Sequence, residues 1–221
     1  MITVWGRRNS VNVQKVMWAL GELEQPYDRR DMGGSFGSGA EYTTMNPQKT
    51  VPTIQDKDRT LWESNACVRY LCREYGRGSL WSDDPEILAL SDQWMDYQAC
   101  IFSTALIQVF LNKIRLPATK ASAEQLARGV ASCAMLLEKL DSHFSDSLFI
   151  TGDEFTMGDI PLGACMYRYF NMDIERPSIP NIERWYKSLA SRTAYQKHVM
   201  IPFGTDLNSW NEQEALNAEV Q

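Results

Sequence analysis

The chain of 221 residues is 44% hydrophobic and 23% charged, too apolar for disorder, and no apolar run reaches the ~18 residues of a membrane helix. At this size about 70% of the unfolded surface can be buried, ample for a packed core. Lys+Arg is 22 against Asp+Glu 28, a net charge of −6 with no long basic run, which argues against a nucleic-acid partner.

The opening MITVWGRRNS turns charged too early for a secretory signal. Ile2–Trp5 is β-prone, and Val13, Val16, Met17 and Leu20 then recur at helical spacing until Pro26 closes that helix. Residues 27–31 read as a second strand. GGSFGSGA, with Gly33, Gly34, Gly37 and Gly39, is too glycine-rich for a stable element and reads as a mobile loop. Residues 51–55 and 60–62 read as two strands joined by a turn at 56–59. A helix from about Ser64, with Cys67, Tyr70 and Leu71 inward, stops at Gly76. The βαβ start and the closing hairpin predict a mixed sheet with helices against it, an α/β domain over 1–78.

After a linker at 79–84 the strand patterns vanish. Pro85, capped by Asp83 or Asp84, starts a helix running to about residue 112. Residues 122–144 place Leu126, Val130, Cys133, Leu137, Leu140 and Phe144 on one bundle seam. Another helix starts near Thr156, and one more, entered through Pro180, carries Ile182, Trp185, Tyr186 and Leu189. Residues 85–221 therefore read as an all-helical domain. Its end, 205–221, holds Asp206, Glu212, Glu214 and Glu219 with no Lys or Arg and reads as a frayed acidic tail. Thr156-Met-Gly-Asp159, flanked by Phe155 and Ile160, has the form of a capping box with a hydrophobic staple. That makes Asp159 a folding residue and not a chemical one.

Cys67, Cys72, Cys100, Cys133 and Cys165 form no C-x-x-C pair, and His143 and His198 are the only histidines. Free thiols in a reducing cytoplasm, with no metal site, is the reading that follows. Three stretches of the first domain hold candidate chemistry. Val51-Pro52 is either an ordinary edge-strand proline or a cis step that turns the Val51 amide and carbonyl outward to pair with an extended peptide. Ser64 is either a plain cap or part of a carboxylate site at a helix start, with Glu63 placed to hold a ligand ammonium. In Asn9-Ser10-Val11-Asn12 a hydroxyl and an amide stand at the first helix N-terminus, as caps or as donors to an anion. Two histidines give a Ser-His-Asp triad little support.

Together these residues resemble the glutathione transferase family. The first domain is similar to its thioredoxin-like domain through Val51-Pro52, Glu63-Ser64 and the element order. The second is similar to its helical domain through the 156–159 box before GDIPLGACMYR. WGRRNSVNVQKVMWALGELEQPY looks like bacterial members related to the theta and nu groupings. The resemblance implies a serine-type, detoxifying transferase with glutathione as co-substrate and no metal. The alternatives are a glutathione-dependent disulfide or peroxide reductase, or a binding protein of the same fold. It implies that Glu63 and Ser64 bind the γ-glutamyl end, that Val51 pairs with the cysteinyl unit with Pro52 cis, and that Ser10 or Asn12 stabilises the thiolate. No tyrosine precedes Tyr27 and no cysteine precedes Cys67, which sets aside tyrosine- and cysteine-based mechanisms.

Relatives often hold the glycyl carboxylate with a cation after the second strand. Residues 32–48 contain no Lys, Arg or His, so Lys49, or failing it Arg7 or Arg8, falls to that role. Trp5, Trp94, Tyr97, Ile101 and Phe102 are candidate walls for a small electrophile. Lys113 and Arg115 either favour an anionic electrophile or face solvent. Family members are mostly twofold homodimers. Tyr75, Leu80 and Trp81 would supply apolar surface at that interface, and Arg69, Arg73 and Arg77 would meet Asp92 and Asp96 across it or else face solvent.

Overall fold

The structure, a computed structural model, describes residues 1–218; Glu219 lies outside them. The first domain runs β1 (Ile2–Trp5), α1 (Val11–Glu22), β2 (Tyr27–Arg30), α2 (Ala40–Met45), β3 (Thr53–Asp56), β4 (Arg59–Trp62) and α3 (Ser64–Tyr75). The crossover through α1 returns the chain to the same edge, so β2 lies parallel to β1. The tight 57–58 turn forces β4 antiparallel to β3, and the sheet order is β2-β1-β3-β4. Val4, Ile54, Val16, Leu20, Cys67 and Leu71 are fully buried between this sheet and the helices.

Register positions everything that follows. Trp5 stands opposite both Arg30 and Thr53, and Thr53 stands opposite Trp62. The segments that leave this row, 6–10, 31–39, 51–52 and 63–65, therefore emerge at one end of the sheet.

The glycine stretch is shorter than the sequence suggests. After a single 3₁₀ turn over Gly34–Phe36 the chain forms α2. One anchor makes this short helix stable: Tyr42 is buried, and its hydroxyl donates to Thr50 O at 2.6 Å and bonds Thr53 Oγ1 at 2.9 Å. A lone buried aromatic carries no periodicity, so the pattern missed it.

The second domain contains α4 (Pro85–Tyr97), α5 (Ser103–Phe110), α6 (Ala123–His143), α7 (Asp159–Asn171), α8 (Pro180–Ala190), α9 (Thr193–His198) and α10 (Leu207–Leu216). The expected helix over 85–112 is instead α4 and α5 joined by a π turn at Gln98–Phe102, with a second π turn at Leu111–Arg115. Each π turn adds a residue and rotates the face that follows it. The two domains share one core. Trp18 of α1 is fully buried against Phe155 and Tyr195, at ring separations of 5.4 and 4.8 Å. Gly163 of α7 is required there, since a Cβ on it would lie 2.7 Å from Leu189 and 3.0 Å from Trp18. Arg192 clamps Glu22 across the interface with bonds of 2.8 and 2.7 Å.

Asp159 is buried and accepts from Thr156 N at 3.0 Å, Ile150 N at 2.9 Å and Trp185 Nε1 at 2.9 Å. The carboxylate half of the capping box forms as expected. The hydroxyl half shifts: Thr156 Oγ1 accepts from Gly158 N at 3.3 Å instead of from the Asp159 amide.

The tail through residue 218 is not frayed. Asp206 and Ser209 form a reciprocal capping box for α10, and Trp210 is 1% exposed. Glu214 is buried, pairs with Arg7 at 2.9 Å and accepts from Ser35 N at 3.1 Å. Its counter-charge lies about two hundred positions upstream, beyond the reach of a local charge count. The proposed intersubunit stripes are overturned in part as well. Arg69 bonds Asp92 and Asp96 of its own chain, at 2.5 and 2.6 Å, because α3 packs beside α4. Leu80 is buried, Tyr75 donates to Asp56 Oδ2, and Trp81 packs on the core, so none forms an unexplained apolar surface.

Candidate active site

The segments at the end of the sheet enclose a cavity of about 380 Å³. Arg7, Ser10 and Asn12 line it from the β1–α1 connection, Gly33, Gly34 and Gly37 from the glycine segment, and Lys49 and Val51 from the approach to β3. The Val51-Pro52 bond is cis. Gly34 has φ 62°, and a Cβ there would lie 2.9 Å from Arg7 and 3.0 Å from the Glu214 carboxylate. Ser10 is the N-cap of α1, yet its hydroxyl makes no capping bond. Asn12 is exposed in the first turn. Among the described residues neither side chain has a hydrogen-bond partner, so both stand as donors at a positive helix end.

The three cations considered for the glycyl carboxylate separate cleanly. Arg7 is paired with Glu214. Arg8 donates to Asn217 Oδ1 and Lys197 O and does not line the cavity. Lys49 lines it and makes no ion pair among the described residues.

Glu63 and Ser64 lie on the adjoining turn at the same end of the sheet, outside the lining of this cavity. Glu63, not Ser64, is the N-cap of α3, with φ 68° and an exposed side chain. Such a backbone costs a non-glycine residue about 1–3 kcal/mol and is a feature of ligand sites. Ser64 is the first helical residue and is buried, its oxygen accepting from Lys15 Nζ at 3.4 Å. Burial pulls the Lys15 ammonium down to about 8, which leaves it charged at neutral pH. Nothing in the sequence singled out Lys15, because a lysine on a helix reads as solvated surface.

A second cavity of about 280 Å³ lies between the domains. Its walls are Val11 and Asn12 of α1, Ser103, Thr104, Leu106, Ile107 and Phe110 of α5, and Cys165 and Arg168 of α7. None of the five expected wall residues lines it. Trp5 instead bonds Gln55 and packs on Tyr42, Trp94 and Tyr97 pack on each other, Phe102 is core, and Ile101 is exposed. The π turn at 98–102 aims α5 at the cavity and turns α4 away. Lys113 pairs with exposed Asp173, and Arg115 stacks on Trp210 at 4.3 Å. Arg168 was missed. Its guanidinium donates to Asn9 O, lies 4.3 Å from the Phe110 ring and is pulled down to about 9 by burial. An arginine on an otherwise apolar helix face was the available signal.

Burial pushes the Cys67 and Cys133 thiols up to about 12, so they stay protonated and unreactive. His143 bonds Ile150 O and His198 faces Tyr27, and neither lines either cavity.

A four-stranded α/β domain with a cis-proline before β3, closed by an all-helical domain, defines a thioredoxin-like fold with a helical partner. Residues 9–74 match the family model of the glutathione S-transferase N-terminal domain. Glutathione S-transferase GstB of Escherichia coli is 39% identical over 206 residues, covering 91% of this chain and 99% of its own. The crystal structure of the theta class glutathione S-transferase from the citrus canker pathogen Xanthomonas axonopodis pv. citri, with glutathione bound, matches with a TM-score of 0.89 at 38% identity, over 92% of this chain and 99% of that one. The chain belongs to the glutathione S-transferase family, and it is a transferase that uses glutathione.

Proposed function

We propose that glutathione lies along the cis Val51-Pro52 step, that Asn12 and Ser10 hold its sulfur as a thiolate, and that a small electrophile in the interdomain cavity receives it. One observation carries this reading: among the described residues Asn12 alone lines both cavities, so a glutathione sulfur beside it faces an electrophile across the junction. Val51 pairs its backbone with the cysteinyl unit. Glu63 takes the ligand ammonium, Ser64 and the start of α3 take the α-carboxylate, and Lys49 takes the glycyl carboxylate.

The chemistry needs no general base. A free thiol near pKa 8.5 is mostly protonated at neutral pH. Donors at the N-terminus of α1 favour the anion, and the proton leaves to solvent. The thiolate then forms a bond to the electrophilic atom as the leaving group departs with its electron pair. Detoxification, a cytoplasmic location and a twofold homodimer belong to the same proposal and rest on the family alone. Sedimentation at micromolar concentration tests the last of these, and a monomer rejects it.

Retention on immobilised glutathione, followed by assays with an aryl halide, a haloacid and a disulfide, tests the function. Turnover of either halide supports it. Binding without turnover favours the non-enzymatic reading, and disulfide turnover alone favours a reductase.

A further inference from the structure

Lys15 sits in the second turn of α1 and is 2% exposed. Buried cations are ordinarily matched by a bonded carboxylate, since an unpaired charge away from water is costly. Lys15 has none. Its ammonium donates to three neutral oxygens: Gln98 Oε1 at 2.8 Å, Asn65 Oδ1 at 3.2 Å and Ser64 Oγ at 3.4 Å. These partners come from the start of α3 and from the π turn of the other domain, and they are themselves held. Asn65 Nδ2 donates to Met95 O at 2.8 Å, and Gln98 Nε2 donates to Cys165 Sγ at 3.4 Å. The ionisable groups that act on the ammonium electrostatically are Cys165, whose thiol burial keeps protonated, and exposed Glu63. The Lys15 ammonium thus stands under the first turn of α3 with no carboxylate bonded to it.

We infer that Lys15 is a positioning residue for glutathione: it supplies the charge that the α-carboxylate of the γ-glutamyl end neutralises, and it orients Ser64 toward that carboxylate. The inference rests on the assignment of the Glu63–Ser64 turn to the γ-glutamyl end. By accepting from Lys15, the Ser64 oxygen keeps its own O–H free to donate outward. Both the charge and the hydroxyl then act on one ligand group.

The test measures binding by titration calorimetry to the full-length wild type, Lys15→Met, Lys15→Gln and Lys15→Arg. The probes are S-methylglutathione, which has no ionisable thiol, and its counterpart lacking only the glutamyl α-carboxylate. Lys15→Met should weaken S-methylglutathione about tenfold or more, equivalent to about 1.4 kcal/mol, and leave the decarboxylated probe within about twofold. Lys15→Arg should restore most of the loss. Near-ultraviolet circular dichroism establishes folding, and Lys15→Gln makes the same comparison if the methionine variant does not fold. Equal weakening of both probes, or of neither, overturns the role of Lys15. A wild type that binds both probes equally overturns the underlying assignment of the turn instead.

Discussion

Removal of the Asn12 amide should raise the pKa of the bound glutathione thiol. A hydrogen bond to a charged acceptor contributes about 1.5–3 kcal/mol, and one pKa unit corresponds to about 1.4 kcal/mol, so Asn12→Ala should shift the thiol up by about 1–2 units. The Asn12 side chain makes no hydrogen bond among the described residues and is exposed, so the fold should not suffer. Losing a donor disfavours the anion, and the deficit must therefore be largest at low pH. At pH 6.5 the rate with an aryl halide should fall about 10–100-fold, with recovery once pH exceeds the new thiol pKa. Thiolate absorbance against pH, measured on the binary complex, reads the shift directly. Ser10→Ala belongs in the same experiment, because Ser10 lines only the cavity at the end of the sheet. An unchanged profile in Asn12→Ala with a shifted one in Ser10→Ala would place the sulfur at Ser10 and refute the junction role of Asn12.

Asp159→Ala strips three buried N–H groups of their acceptor, so urea denaturation should show a loss of about 3–6 kcal/mol while kcat at low temperature holds. Glu214→Gln removes the counter-charge of Arg7 and should cost about 1–3 kcal/mol, raise KM for glutathione and expose the α10 segment to limited proteolysis. His198 is buried and pushed down to about 4 from its ordinary 6.5. Between those values the unfolded chain binds the proton first, so this group costs stability as pH falls from 6.5 toward 4, by up to about 3 kcal/mol. His198→Gln should flatten that part of the acid stability curve, and a parallel curve in the variant would reject the assignment.

Much of this protein is legible locally. Alternation and helical spacing are properties of short stretches, so β1, α1, the β3–β4 hairpin, α3 and the start of α6 follow from side-chain order and capping chemistry. The Val51-Pro52 step and the Glu63-Ser64 turn are legible for the same reason, since each is defined by two adjacent residues. The first residue of α3 shows the limit. Ser64 has the composition of a cap, but the positive φ of Glu63 moves the cap back by one residue.

What a side chain faces is a different matter. The cavity walls depend on the rotation that a π turn imposes at 98–102, and neither its position nor its effect is visible in hydrophobic spacing. Arg69 was free to meet another molecule until α3 packed beside α4 and brought Asp92 and Asp96 to it. Glu214 reads as part of a frayed acidic tail, and nothing in the sequence marks Lys15 as buried, because charged residues on helices are usually solvated. Lys15 is buried between α3 of its own domain and Gln98 of the other, 83 positions away, and Glu214 is buried against Arg7, 207 positions away. Alone, then, the sequence determined the elements, their order and the motifs at the end of the sheet, because neighbouring residues carry those. The tertiary structure decided which charges were buried and which residues line the two cavities, because those contacts exist only once distant segments of the chain have packed together.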